Sequence, residues 1–480
     1  MKRKNKKKSL FDIISIIVTL LCLFALTLFS YFIFKINIVP TKYLVVGYGL
    51  FILIIILLLF GVFGKSKKFI KLISLIIMLV LSFGFGYASY YLNNTYHFLS
   101  STQSNYDTLT YSVVVLKDSS YQDINFLGGK TISYLDDDYK DDIKNELASK
   151  ITYHELLSSE FGKLSDLLMD GEIDALCLED SYLTLIYEEV EDFEDSTEVI
   201  YTFTVRVKTH KEDSNISVTE EPFILYISGI DQYGNVNSVR GRSDVNQIVV
   251  VNSKTNHILL VNTPRDYYVQ LAGTTGLKDK LTHAGIYGID KSISTLENLY
   301  GIDINHYLRV NFNTLIKVVD VIGGIDIYSD KAFIPWTNRS VYVEAGWNHM
   351  DGKTALAYAR ERHAYIDGDH HRGANQQQVI TAIIDKVTQS SVLISKYNSI
   401  LNALDGSFQT DIPTSAITSF IKYQLDKMPT WNVESIAVTG YNSTNYTYSM
   451  GYGHKLYVME PDYDSIIEAK KKINTVLKEN

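Results

Sequence analysis

Cysteine is nearly absent. Cys22 and Cys177 are the only two in 480 residues, which excludes a disulfide-stapled scaffold and a tetrahedral thiolate metal site. Cys22 lies inside an apolar run, so the two are not expected to pair. A Gly-x-Ser-x-Gly elbow and a His-x-x-x-His spacing are also missing. Neither a serine nucleophile nor a zinc site on His363, His370 and His371 is therefore indicated. A broad basic surface is lacking too. Residues 105–222 carry 9 bases against 28 acids and residues 223–480 carry 24 against 25, which disfavours nucleic acid as the main partner.

Charge is missing from three stretches, Ile13 to Phe34, Tyr43 to Phe63 and Leu72 to Leu92. At ~1.5 Å rise per residue each is long enough to cross a ~30 Å hydrocarbon core, which predicts three transmembrane helices over 13–92. The length of the first run and the two that follow it argue against a cleaved signal peptide. The basic tail within residues 1–12 and the loop carrying Lys65, Lys67, Lys68 and Lys71 are predicted to face the cytoplasm and its anionic lipid. Three crossings then put the rest of the chain outside. An outside location without disulfides, in a chain with 35 tyrosines, fits a Gram-positive surface.

The acidic segment, 105–222, predicts a small α/β accessory domain. Tyr111 to Leu116 and Asp174 to Leu178 are expected as buried strands, Lys140 to Leu147 and Lys163 to Met169 as helices. The stretch Leu168 to Leu176 has the pattern of a helix end, a glycine cap and a strand, similar to a lobe of solute-binding proteins. The acidic run Glu188 to Asp195 lacks the glycine-punctuated alternation of a calcium loop and is expected as a solvated face.

Residues 223–480 carry the chemistry. Only ten arginines occur in the chain, and eight of them fall between 240 and 372. Guanidinium offers a rigid donor fork matched to phosphate oxygens. Arg242 precedes the strand Val245 to Val251, Arg265 follows the strand His257 to Val261, Arg360 and Arg362 end the helix Ala355 to Arg362, and Arg372 opens another helix with Gln376. Strand ends and helix starts in an α/β sheet gather anions, so these five predict one polyanion pocket. Arg240, Arg309 and Arg339 are expected in surface ion pairs. Asp231 and Asp244 are two hard oxygen donors that, with a diphosphate, suit magnesium. Asp369 is either a general base for an attacking hydroxyl or a helix N-cap. The helix Val379 to Val387 is expected to bury its stripe as core, or to line an isoprenoid groove.

At Gly229-Ile230-Asp231, Arg242-Ser243-Asp244, Pro264-Arg265-Asp266, Lys280 to Ala284, Tyr358 to Arg362, and Asp369 through Arg372 to Gln376, the sequence resembles the LytR-CpsA-Psr (LCP) family, specifically the streptococcal capsule-locus CpsA type. The resemblance covers roughly 223–388; the acidic segment and the three spans are similar to that branch as well. It implies an αβα-layered LCP phosphotransferase domain outside the cell. That domain would move capsular or related glycopolymer from a polyprenyl pyrophosphate carrier onto peptidoglycan. By it, Arg242, Arg265, Arg360, Arg362, Arg372 and Gln376 would hold the pyrophosphate, Asp231 and Asp244 the Mg2+, and Asp369, Arg265 and Arg362 would be catalytic. Contact with other capsule membrane proteins stays open. The alternatives are a polyprenyl pyrophosphate hydrolase, with water in place of the sugar hydroxyl, and a membrane receptor or regulator of capsule synthesis that binds lipid-linked sugar.

Overall fold

The computed structural model describes residues 10–101, 106–208, 216–230, 240–365, 368–389, 396, 399–400 and 406–479. The chain divides into two compact units, one of residues 1–101 with 413–429, the other of 102–412 with 430–480.

Three of the described helices, all in the first unit, are long and apolar enough to cross a membrane: α1 (Leu10–Ile36), α2 (Thr41–Phe63) and α3 (Lys68–Ser101). Their outer faces expose large apolar side chains such as Phe24, Phe60 and Phe83, while Val18, Cys22, Leu58, Val62, Leu75 and Met78 pack inside. This is a composition suited to lipid around a small protein core. Past the predicted end at Leu92, α3 continues through Asn93 and Asn94, because no proline or glycine there interrupts the backbone ladder. Helix Thr414–Lys427 also belongs to this unit, with Lys422 donating to Asn37 at 2.9 Å and Lys42 paired to Asp426 at 3.0 Å.

The second unit holds two main sheets. The acidic lobe is a five-stranded sheet of β1 (Tyr106–Leu116), β2 (Thr131–Leu135), β3 (His154–Ser158), β4 (Ala175–Glu179) and β5 (Thr197–Lys208), in the order β3-β2-β4-β1-β5. Helices α4 (Lys140–Lys150), α5 (Phe161–Met169), α6 (Asp180–Glu189) and α7 (Phe193–Ser196) connect it. Gly171, at φ +70°, turns the chain between α5 and β4, a left-handed position that glycine takes without a Cβ penalty. Free, buried Cys177 lies in this core.

The arginine lobe centres on the antiparallel meander β6 (Phe223–Ile230), β7 (Ser243–Asn252) and β8 (His257–Thr263). Strand His306–Asn311 runs parallel to β6, Asn432–Ala437 runs parallel to β8, and Phe408–Thr410 closes the far edge. The two-residue period puts Ile224, Tyr226, Ile248, Val250, Leu259 and Val261 on one face, against α8 (Ile289–Tyr300) and helix Tyr463–Lys478. The other face carries α9 (Phe312–Ile322), α10 (Gly352–Ala359) and α11 (Asp369–Thr388). The result is an αβα layering.

The two lobes share a core in which Phe161, Leu164, Tyr182 and Leu185 pack with Ile286, Met450 and Leu456. A β-carbon on Gly162 would stand 2.7 Å from the Met450 carbonyl oxygen, so the backbones meet there only because position 162 is glycine. Arg240 crosses this boundary, donating to the Tyr139 hydroxyl at 2.9 Å with its guanidinium 5.3 Å from that ring. Arg309 is buried and donates to Gln409 at 3.5 Å. The surface ion pairs expected for Arg240 and Arg309 are thus corrected: Arg240 is half-buried against Tyr139, where its charge also faces the buried Glu179, and Arg309 is buried beside Gln409. Arg339 is exposed and stacks 4.2 Å over the Trp336 ring.

Glu179 ends β4 fully buried, hydrogen-bonded by Ser181. Burial pushes its carboxyl up to about 7, opposed by the Ser181 bond and the charge of Arg240. Between its ordinary 4.5 and about 7 the folded chain keeps a proton that the unfolded chain has lost, so stability falls as pH rises through that window. Glu179→Gln is expected to flatten a loss on the order of 3 kcal/mol. Urea midpoints at pH 5.5 and pH 8 check this: a wild type that is equally stable at both contradicts it.

Candidate functional site

The end of the meander is shaped for close approach. Arg242 immediately precedes β7 and Asp244 is its second residue; Arg265 leaves β8 through Thr263 and Pro264. Helix α10 stops at Ala359, with Arg360 as its C-cap. The expected helix through Arg362 is therefore three residues too long. The cause is Glu361, which is buried and accepts from the backbone N–H groups of Trp336 at 2.5 Å and Ala364 at 2.8 Å. Those bonds compete with continuation of the helix and turn Arg362 outward.

Helix α11 is pinned to the sheet. Gln377, buried, donates to the carbonyls of Leu260 at 3.3 Å and Ile436 at 2.7 Å, and Asn375 donates to that of Tyr358 at 3.1 Å. A β-carbon on Gly373 would run into the Asn262 side chain, so the first turn of α11 lies directly on the end of β8. Arg372 and Gln376, one turn apart, then share a face. The sequence showed the run Gln376-Gln377-Gln378 but not that Gln377 and Asn375 would be the buried clamps.

These elements enclose a cavity of about 450 Å³. Arg242, Arg265, Arg360, Arg362 and Arg372 all line it, together with Asp244 and Gln376. Ile227, Val310, Leu315, Leu356, Val379 and Ile380 make an apolar wall. Val379 belongs to the core and also lines the cavity wall. Phe312 lines the cavity with the Arg360 guanidinium 4.2 Å over its ring, an attractive placement for a cation. Asn311 caps α9 by accepting from the Thr314 N–H at 3.1 Å and also lines the cavity, so a helix N-terminus borders it, a favourable place for an anion.

Asp244 accepts from Arg265 at 2.8 Å and from the Thr282 hydroxyl at 3.1 Å. Burial pushes its carboxyl up, but the charges of Arg265, Arg242 and Arg372 outweigh that and hold it below the ordinary value. It is ionised at neutral pH. Thr282 belongs to the Lys280 to Ala284 motif, which sits behind the cavity: His283 meets Asp279 at 2.7 Å, and Asp279 also accepts from the N–H groups of Lys280 at 2.8 Å and Ser449 at 2.9 Å.

Asp231 lies outside the described residues. The backbone of Asp369 is the first residue of α11, and its side chain lies outside the described part. Among the described residues no group of three His, Cys, Asp or Glu side chains is placed to hold a metal ion. One further cavity residue comes from the acidic lobe. Glu188, at the end of α6, lines the cavity and receives both arms of Arg242, at 2.5 and 3.0 Å. Its neighbour Glu189 faces Lys280 at 3.9 Å. The acidic run is thus partly engaged by cations of the other lobe instead of forming a wholly solvated face.

The family model of the LytR_cpsA_psr family matches residues 192–471. The polyisoprenyl-teichoic acid–peptidoglycan teichoic acid transferase TagU of Bacillus anthracis is 31% identical over 238 residues, 49% of this chain and 75% of that protein. The corresponding transferase TagV of Bacillus subtilis is 29% identical over 278 residues, 55% of this chain and 67% of that one. The crystal structure of Bacillus subtilis TagV aligns with a TM-score of 0.45 at 28% identity, covering 54% of this chain and 99% of that one.

Proposed function

Because the chain belongs to the LytR_cpsA_psr family, we propose that it transfers a glycopolymer from a polyprenyl pyrophosphate carrier to peptidoglycan. What carries the reading is one cavity in which five guanidinium groups face an apolar wall. The charged part suits a diphosphate and the wall suits the first isoprene units of its lipid. The names of TagU and TagV, teichoic acid transferases acting from a polyisoprenyl carrier to peptidoglycan, point to the same reaction class. The resemblance to the capsule-locus CpsA type, with three spans and an acidic accessory segment, favours a capsular or related polymer as cargo.

In this reading the acceptor sugar hydroxyl attacks the phosphorus that carries the polymer. A new O–P bond forms, the bridging P–O bond of the diphosphate breaks, and polyprenyl phosphate leaves. Such a transition state asks for position and charge stabilisation more than for covalent chemistry. Arg265, Arg360, Arg362 and Arg372 hold the phosphate oxygens, with Arg242 at the rim. Gln376 adds a neutral donor, and Asp369 takes the hydroxyl proton. Asp244, ionised at the cavity wall, is the hard oxygen donor that magnesium prefers, and Asp231 would be its companion. Bound there, the ion would neutralise charge on the diphosphate. The anchor, with its basic tail and the lysines between Lys65 and Lys71 facing the cytoplasm, holds this chemistry outside the cell at the bilayer where the carrier lies.

The test uses full-length protein in vesicles with lipid-linked polymer. Polymer is expected to appear on added peptidoglycan, and turnover to stop when the acceptor is left out. Release of polyprenyl phosphate at the same rate without acceptor would show a hydrolase instead.

A further inference from the structure

Glu188 is a cavity residue contributed by the acidic lobe, and its position is unfavourable for a helix considered alone. Glu188 and Glu189 occupy the last turn of α6, where the negative end of the helix dipole disfavours acids. Both are aimed at cations of the arginine lobe, Glu188 at Arg242 and Glu189 at Lys280. The Arg242 pair is two-pronged and lies at the rim: the Glu188 side chain keeps 44% of its surface exposed, against 19% for Arg242. A half-exposed ion pair of this kind is worth little in net stability and separates easily.

The backbone under Arg242 is held far more firmly than the pair itself. Arg240 is inserted against Tyr139. A β-carbon on Gly285 would stand 2.5 Å from the Gly241 carbonyl oxygen and 2.8 Å from the Ser243 nitrogen, so the Arg240-Gly241-Arg242 segment lies flush on its neighbour. When an anion enters, the Glu188 side chain is therefore the part free to move.

We propose that Glu188 is a displaceable counter-ion placed in the anion site by the acidic lobe: it occupies the Arg242 fork while the cavity is empty and yields it to a diphosphate, so the acidic lobe sets the affinity for the lipid carrier. This rests on the diphosphate reading above. Its carboxylate mimics one phosphate edge in geometry and charge, which keeps Arg242 oriented for a bidentate contact. It also repels the incoming anion until it swings away. The leaving polyprenyl phosphate has lost the polymer and the phosphate that carried it, and a carboxylate held at the rim penalises both it and the loaded carrier, so the diphosphate, with more contacts to the remaining arginines, competes better.

The experiment measures binding of octaprenyl pyrophosphate to the full-length protein in detergent by isothermal titration, for wild type, Glu188→Gln and Glu191→Gln. Glu191 is exposed on the same acidic turn and lines no part of the cavity. Glu188→Gln is expected to bind about two- to fivefold more tightly, the scale of one partly exposed charge pair, with Glu191→Gln unchanged. Equal affinity of Glu188→Gln and wild type would overturn the proposal, and so would weaker binding, which would make Glu188 a support for Arg242. Equal tightening by Glu191→Gln would overturn it as well, since the general acidic field would then be responsible. A wild type that binds no octaprenyl pyrophosphate at all would instead remove the diphosphate reading on which the proposal stands.

Discussion

Arg265→Ala is expected to lower polymer attachment at least about 100-fold while the protein remains folded, the scale seen when one preorganised charge-stabilising donor is removed from an acyl- or phosphoryl-transfer site. Arg265 sits at the end of β8, paired at 2.8 Å with Asp244, and lines the cavity beside four other arginines. Alanine removes a cation from the phosphate site and also one of the charges that keep Asp244 ionised. Arg242 and Arg372 remain near Asp244, so an abandoned buried charge does not unfold the lobe. Arg265→Lys restores the charge without the planar fork and is expected to recover only part of the activity. Cell-wall fractionation, with circular dichroism as the folding control, decides the matter; full attachment by the alanine variant would contradict the assignment of this cavity.

The largest expected effect on stability lies one step behind the cavity, at Asp279. Its carboxylate is fully buried and serves His283, the backbone N–H groups of Lys280 and Ser449, and the Ser449 hydroxyl. Asp279→Ala would leave those donors buried without an acceptor, at a cost on the order of 3–5 kcal/mol. The same change loosens the segment that holds Thr282 against Asp244, so transfer should fall together with stability. Urea denaturation followed by tryptophan fluorescence measures the first effect. A loss under about 1 kcal/mol would mean that the network is not the support described here.

Both residues show how far the sequence could be followed. The three apolar runs are long and almost uncharged, and hydropathy alone located α1, α2 and α3. The helix end, glycine turn and strand around Gly171 were legible because left-handed backbone demands that residue. The five arginines of the cavity stood out through local enrichment of guanidinium over ammonium, and their convergence follows from positions at strand ends and helix starts. The end of α10 was not legible, because the bonds that break it come from the side chain of Glu361 to the distant Trp336. Arg240 and Arg309 were misjudged for a related reason: their partners, Tyr139 and Gln409, lie about a hundred residues away, and no local pattern marks an arginine that will be buried. Glu188 escaped in the same way, since an acidic run on one lobe carries no sign of the cation it will meet on another. The strand Asn432–Ala437 adds the outer edge beside β8, although its alternation is too weak to mark it as part of the sheet.

The most direct measurement is a crystal structure of the full-length protein with octaprenyl pyrophosphate. The diphosphate is expected between Arg265, Arg360, Arg362 and Arg372, with Arg242 released from Glu188 and the first isoprene units against Leu315 and Ile380. Lipid density on another surface, with this cavity unchanged and the Arg242–Glu188 pair intact, would contradict the account.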